Sequence, residues 1–301
     1  MLNRKEWLAL IALTLMWGIN WPMMKLSLQE VSPLYFRAMT MTLGASWLYL
    51  FFRLSGGRMV MPQGEQWQTV MLLALPNILG WHVLSIFGVQ ELRSGRAAIL
   101  GFTMPIWTVL IGAIWFRERL TRRVVFATVA VALAVLLLVS HELQHLSGRP
   151  VGVFWMLAAA NCWALGTLLM RRTPLTMPIE AVAVWMLLLS CGVLWALAVS
   201  LEPVPSFQFT AVTWWSLVYG VLINYGFAQI IWFGLARRLP PASSAMSVMA
   251  VPLVGIGSAI PILGETPYWQ DGVAVLLVMV AIAAVLLPKR SPSSPSSEST
   301  P

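Results

Sequence analysis

The chain is written twice. Asn77 and Asn224, Ala98 and Ala245, Pro105 and Pro252, and Glu118 and Glu265 are each separated by 147 positions. Trp17 meets Trp163 once one position is dropped. Both copies are strongly apolar. Each half must therefore build the same set of apolar helices, and the two sets must meet along a seam.

Composition sets the solvent. The chain is 59% hydrophobic and 10% charged, with a mean hydropathy of +0.79; a soluble domain carries about 25% charged residues. Ten apolar runs lie near 6–26, 33–53, 67–89, 95–116, 121–140, 151–170, 178–200, 212–235, 242–263 and 268–288. Each is close to the roughly 20 residues that cross a hydrocarbon core. The expected fold is an all-α integral membrane protein of ten transmembrane helices. Residues 1–145 form the first five-helix repeat, 146–290 the second, and the Ser/Pro-rich stretch 291–301 a disordered cytoplasmic tail. Asn3, Arg4 and Lys5 precede the first run, but it continues through Trp17 and Trp21 without a cleavage site. It reads as a retained span.

Basic residues orient the chain. With the N-terminus inside, 14 of the 19 Lys and Arg fall in inner loops, four in outer loops, and Arg37 within span 2. Both termini are expected in the cytoplasm. Five spans per half is an odd number, so the second copy enters from the opposite side and the repeat is inverted. The loop after span 4, Arg117-Glu118-Arg119, is basic, while its equivalent, Gly264-Glu265-Thr266, is not. An internal repeat in such a chain is the mark of a secondary transporter.

The net charge of +8 is accounted for by these loops and gives no reason to expect nucleic acid. Cys162 and Cys191 fall inside apolar runs, with no metal or disulfide spacing. No metal or cofactor is expected.

These features resemble the drug/metabolite transporter superfamily. The stretches from Gly95-Arg96-Ala97-Ala98 through Pro105 to Glu118, and from Ala242 through Pro252 to Glu265, are similar to its EamA-type repeat. Leu34-Tyr35-Phe36-Arg37 is similar to a Phe-Arg motif of span 2. Within the superfamily the likeness is greatest to aromatic amino-acid exporters of the YddG type. The resemblance implies a central cavity lined by spans 1, 3, 4, 6, 8 and 9, with spans 5 and 10 peripheral.

Candidate binding residues follow from depth and polarity. Trp17, Asn20, Trp21 and Met24 share one face of span 1, and Trp163, Gly166, Thr167 and Met170 the equivalent face of span 6. Tryptophan favours the membrane interface, so such a stripe at depth reads either as a cavity wall or as a tight helix seam. Indole faces offer offset stacking to a planar ring. Asn77 and Asn224 sit mid-span and must face protein, water or ligand. His82, with Ser85 three positions on, offers a contact for a carboxylate, and a satisfied core histidine is the bland alternative. Tyr225 adds a hydroxyl beside Asn224. In spans 4 and 9, Gly101, Phe102 and Met249 line the approach to Pro105 and Pro252, the hinge candidates. Glu118 and Glu265 are expected to cap neighbouring helix N-termini as fold or gate elements. Arg37 is expected to snorkel or to pair with a loop carboxylate.

All 11 acidic residues lie near span ends or in loops. Intramembrane carboxylates are the usual proton relays; here only His82 is placed for one. A membrane-embedded enzyme would need a nucleophile, base or metal cluster at depth, and Cys162 and His82 have no matching partner. The expected function is export of small amphipathic metabolites, above all aromatic or neutral amino acids, by alternating access and facilitated diffusion. The alternative is a drug, nucleoside or other metabolite carrier of the same superfamily, proton-coupled or not. The expected partners are that substrate and the lipid bilayer. The sequence does not set the oligomeric state, and a monomer accommodates the reading.

Overall fold

The computed structural model describes residues 4–117, 120–144, 150–236 and 241–286. The side chains of 141–144, 236, 241–249 and 285–286 lie outside that description. Among the described residues every regular element is helical. In chain order these are α1 Arg4–Ser27, α2 Pro33–Leu54, α3 Glu65–Ala74, π1 Leu75–Gly80, α4 Trp81–Glu91, α5 Ser94–Gly101 and α6 Met104–Phe116. Then come α7 Arg122–Gln144, α8 Pro150–Arg172, α9 Ile179–Leu201, α10 Ala211–Val218, π2 Tyr219–Phe227, α11 Ala228–Ala236, α12 Pro241–Leu263 and α13 Trp269–Leu286.

Seven described helical stretches are long and apolar enough to cross a membrane. They are Arg4–Ser27, Glu65–Glu91, Ser94–Phe116, Arg122–Ser140, Pro150–Arg172, Ile179–Leu201 and Ala211–Leu235. Ala250–Leu263 and Trp269–Ala284 are shorter apolar helices. Helix α2 carries Arg37 and Arg53 among its 22 residues. Large apolar side chains such as Trp115, Phe126, Leu136 and Leu276 are exposed. On a soluble monomer that pattern would be a liability; on a membrane protein it faces lipid.

Two departures from the α-helix fall at matching places in the two copies. π1 holds Pro76 and Asn77, and π2 holds Gly220, Asn224 and Gly226. Proline has no N–H to give the preceding turn, so π1 has a local cause. π2 has no proline, and its two glycines soften the ladder instead. π segments inside α-helices gather at functional sites.

The copies differ at their prolines. The fourth predicted span is two helices: α5 ends at Gly101, and Pro105 sits in the first turn of α6. Pro105 cannot donate to Gly101, and the Thr103 hydroxyl donates to the Leu100 carbonyl at 2.6 Å. Pro252 instead lies inside the continuous α12.

Packing keeps its pattern when the two copies are exchanged. Helix α1 lies against α12 and against α10–π2–α11; α8 lies against α5–α6 and against π1–α4. Helix α2 packs on α9 and π2, and α9 in turn on α3 and π1. Helices α7 and α13 pack mainly on each other.

Three carboxylates cap helix N-termini. Glu202, just past α9, accepts the backbone N–H of Leu34 at 3.0 Å and of Tyr35 at 3.1 Å. Glu30 accepts the N–H and hydroxyl of Thr210, the residue before α10, at 2.8 and 2.7 Å. Glu265 accepts the N–H of Ser94 at 2.9 Å and of Gly95 at 3.4 Å. Each satisfies orphan donors and complements the helix dipole.

Candidate functional site

Gly101, at the end of α5, is where three spans converge. A Cβ there would lie 3.0 Å from Cη2 of Trp21, 3.1 Å from Cε of Met156 and 3.3 Å from Cη2 of Trp81. The absence of a side chain lets two indole edges and a thioether meet over the backbone. Trp21 also lies edge-on to Phe102, centroids 6.4 Å apart. Trp81 lies edge-on to Trp163, centroids 5.4 Å apart. Four sequence-predicted residues, Trp21, Gly101, Phe102 and Trp163, thus belong to one aromatic cluster. Its central member, Trp81, was not among the candidates. It follows Asn77 by four positions and so shares a helical face with it, and that signal could have found it.

Trp17 sits apart, against Trp232 of α11 at 5.5 Å between centroids. The seam reading also has support here: Gly18 packs against Val251 and Val254 of α12. Gly166 lies against Asn77, where a Cβ would come 2.6 Å from Cγ and 2.8 Å from the backbone N.

The amides stand out for what they lack. Asn20 and Asn77 are 8% and 7% exposed, and Asn224 is half-buried. Among the described residues none of their side chains has a hydrogen-bond partner. None of their polar atoms is among the sealed, unpartnered atoms of the described interior, so each keeps a face open to water or a ligand. Thr167, half-buried beside Gly166, is likewise unbonded through its side chain.

A polar cluster adjoins the aromatic one through the consecutive pair Trp81–His82. The Tyr225 hydroxyl lies 3.2 Å from Nδ1 and 3.5 Å from Nε2 of His82. Arg37 reaches the same hydroxyl and Ser85. This corrects the expectation for Arg37: it neither snorkels nor pairs with a loop carboxylate, because it points inward and is 3% exposed. The carboxylate at the N-terminus of its helix, Glu202, holds backbone amides instead, and the loop residue Glu30 holds Thr210.

Arg96 Nε donates to Asp271 Oδ1 at 2.6 Å, with both side chains buried. Arg93 donates to the Thr266 carbonyl and to the Tyr268 hydroxyl, and its guanidinium stacks 4.5 Å from the Tyr268 ring centroid. With the Glu265 cap, these bonds join α5 of the first copy to the α12–α13 connection of the second. Pro105 is half-buried and Pro252 buried. Glu118, the side chain of Met249 and the tail 291–301 lie outside the described residues. Among the described residues no group of three or more His, Cys, Asp or Glu is placed to hold a metal.

Comparison with known proteins gives a consistent picture. The EamA-like transporter family matches twice, over residues 4–140 and 150–287. "Uncharacterized transporter YoaV" of Bacillus subtilis (strain 168) is 24% identical over 84% of this chain and 86% of its own. "Uncharacterized inner membrane transporter YedA" of Escherichia coli (strain K12) is 24% identical over 93% and 90%. A "Probable amino-acid metabolite efflux pump" of Salmonella typhimurium is 24% identical over 93% and 94%. One solved crystal structure matches with a TM-score of 0.64 at 18% identity, over 91% of this chain and 95% of its own. It shares the fold.

Proposed function

We propose, from the premise that this chain belongs to the EamA-like transporter family, that it is a multi-pass inner-membrane exporter of aromatic and other neutral amino acids. The observation that carries the reading is the set of unbonded amides. Asn20, Asn77 and Asn224 have no hydrogen-bond partners among the described residues, and Asn77 lies one turn from the Trp81–Trp163 pair. A zwitterion supplies the donors and acceptors those amides lack, while its ring stacks on the indoles. The name of the Salmonella relative supports an amino-acid metabolite as cargo.

In this reading the chain crosses the membrane ten times with both termini cytoplasmic, and the second copy is inverted. The doubled family match and the exchange-symmetric packing support it. Substrate enters from the cytoplasm and binds among Trp21, Phe102, Trp81 and Trp163. Its polar end meets Asn20, Asn77, His82, Thr167, Asn224 and Tyr225, with Trp17 and Met249 at the margins. The halves rock about the α5–α6 break at Pro105 and about Pro252. The Arg96–Asp271 pair and the Glu265 cap close the outer face and must part for release. With no acidic residue mid-span, transport runs down the substrate gradient.

Counterflow tests this. Proteoliposomes preloaded with unlabelled tryptophan should accumulate labelled phenylalanine transiently; a glutamate preload should not drive it. Absence of aromatic counterflow in a folded preparation removes the substrate assignment.

A further inference from the structure

Arg37 lies in the second turn of α2 and is nearly fully buried. Nη1 donates to the Tyr225 hydroxyl at 3.4 Å, and Nη2 donates to Ser85 Oγ at 3.3 Å. Both bonds are long, and both go to neutral oxygens. Nε has no hydrogen-bond partner. The ring centroid of its neighbour Phe36 lies 5.8 Å from the guanidinium carbon. Among the described residues no carboxylate pairs with it.

A guanidinium has five donors and is charged at any accessible pH. Holding one at membrane depth without a counter-charge is expensive. A structural arginine would find its anion within the fold, as Arg96 does in Asp271. Arg37 instead sits in a shell drawn from two segments: Ser85 and His82 on α4, and Tyr225 on π2, whose hydroxyl the His82 ring reaches. The free Nε and an Nη form one edge of the planar fork, the edge that takes a carboxylate through two parallel bonds. The Ser85 hydroxyl already stands beside that edge at Nη2, and the Tyr225 hydroxyl stands at the opposite nitrogen, Nη1.

We infer that Arg37, flanked by Ser85, Tyr225 and His82, is the binding site for a carboxylate group on the transported molecule. This rests on the transport reading above and narrows it: the cargo must carry a carboxylate, and an ammonium group alone does not suffice. Biogenic amines and quaternary ammonium compounds are then excluded, because the same guanidinium repels them. Lysine cannot replace it fully, since a point charge lacks the two-pronged geometry.

The test uses the full chain in lipid nanodiscs and reads melting temperature at constant chloride. Sodium acetate and sodium phenylacetate are the carboxylate probes, and phenethylammonium chloride is the cation control. Both carboxylates should raise the wild-type melting temperature saturably, and phenethylammonium should not. Arg37→Gln should melt no lower than wild type without carboxylate, since a buried unpaired charge has been removed. Its apparent carboxylate affinity should fall at least about thirtyfold. Arg37→Lys should keep part of the response. An undiminished carboxylate response in Arg37→Gln, or equal stabilisation by phenethylammonium, overturns the site. Should Arg37→Gln fail to fold, Tyr225→Phe and Ser85→Ala carry the test: each must weaken the acetate response, and unchanged responses in both overturn it. Phenylalanine uptake by wild type together with an Arg37-independent acetate response removes the carboxylate site alone. An Arg37-dependent acetate response without aromatic uptake removes the aromatic reading alone.

Discussion

The indole of Trp81 meets that of Trp163 edge to face, with centroids 5.4 Å apart and planes at 64°. One comes from the first copy of the repeat and one from the second. The pair therefore lies on the seam between the halves, where relative motion would part it. Trp163→Ala should lower aromatic transport by about two- to tenfold, the stacking contribution of one ring pair. Folded protein should be recovered in normal yield. A folded variant that transports normally would show that the pair is packing only.

Asn77 and Asn224 separate a binding role from a structural one. Among the described residues neither amide has a hydrogen-bond partner, so Asn77→Leu and Asn224→Leu leave no described donor or acceptor unpaired. Each should melt at or above the wild-type temperature while phenylalanine uptake falls. A large drop in melting temperature with uptake per folded molecule unchanged would mean that the amides serve the fold.

Arg96 and Asp271 test the join between the two copies. Asp271→Asn leaves a buried guanidinium without its charge partner and should cost about 3–5 kcal/mol. The double variant Arg96→Leu/Asp271→Leu should recover much of that. Thermal melts of wild type, Arg96→Leu, Asp271→Leu and the double variant form the cycle. A single variant as stable as wild type would show that the pair does not hold the two copies together.

Acid stability reports on the caps. Hydrogen bonds from the Thr210 hydroxyl, and next from its backbone N–H, hold the Glu30 carboxyl below its ordinary value of 4.5. A depressed folded value stabilises the fold above the ordinary value, and this is lost as pH falls through the lowered one. Glu30→Gln should therefore flatten the acid limb of stability against pH and converge with wild type at the lowest pH. An unaltered acid limb would remove Glu30 from acid unfolding.

Much of this was readable before any coordinate. The 147-residue spacing of Asn77 and Asn224 marks the two places where the helices pass into π geometry, because the copies share their local exceptions as well as their rules. The membrane-edge position of Glu265 foretold its cap on Ser94. Long-range geometry was not legible. Helical spacing puts Trp17 and Trp21 on one stripe, yet Trp17 turns to Trp232 and Trp21 to Phe102, because a stripe about 100° wide can face two neighbours. The inward turn of Arg37 was missed for a related reason. Position near a span end suggests snorkelling, and only the placement of Tyr225, 188 residues away, shows where the guanidinium goes. The broken helix at Pro105 and the continuous one at Pro252 also share one sequence signal, and only their surroundings separate them.

The most direct measurement is uptake of labelled phenylalanine, tryptophan and threonine into proteoliposomes, with glutamate as control, with and without an imposed pH gradient. The account predicts saturable uptake of the aromatic amino acids, unchanged by the gradient, and none of glutamate. Absence of aromatic uptake would contradict the substrate, and uptake only with the gradient would contradict facilitated diffusion.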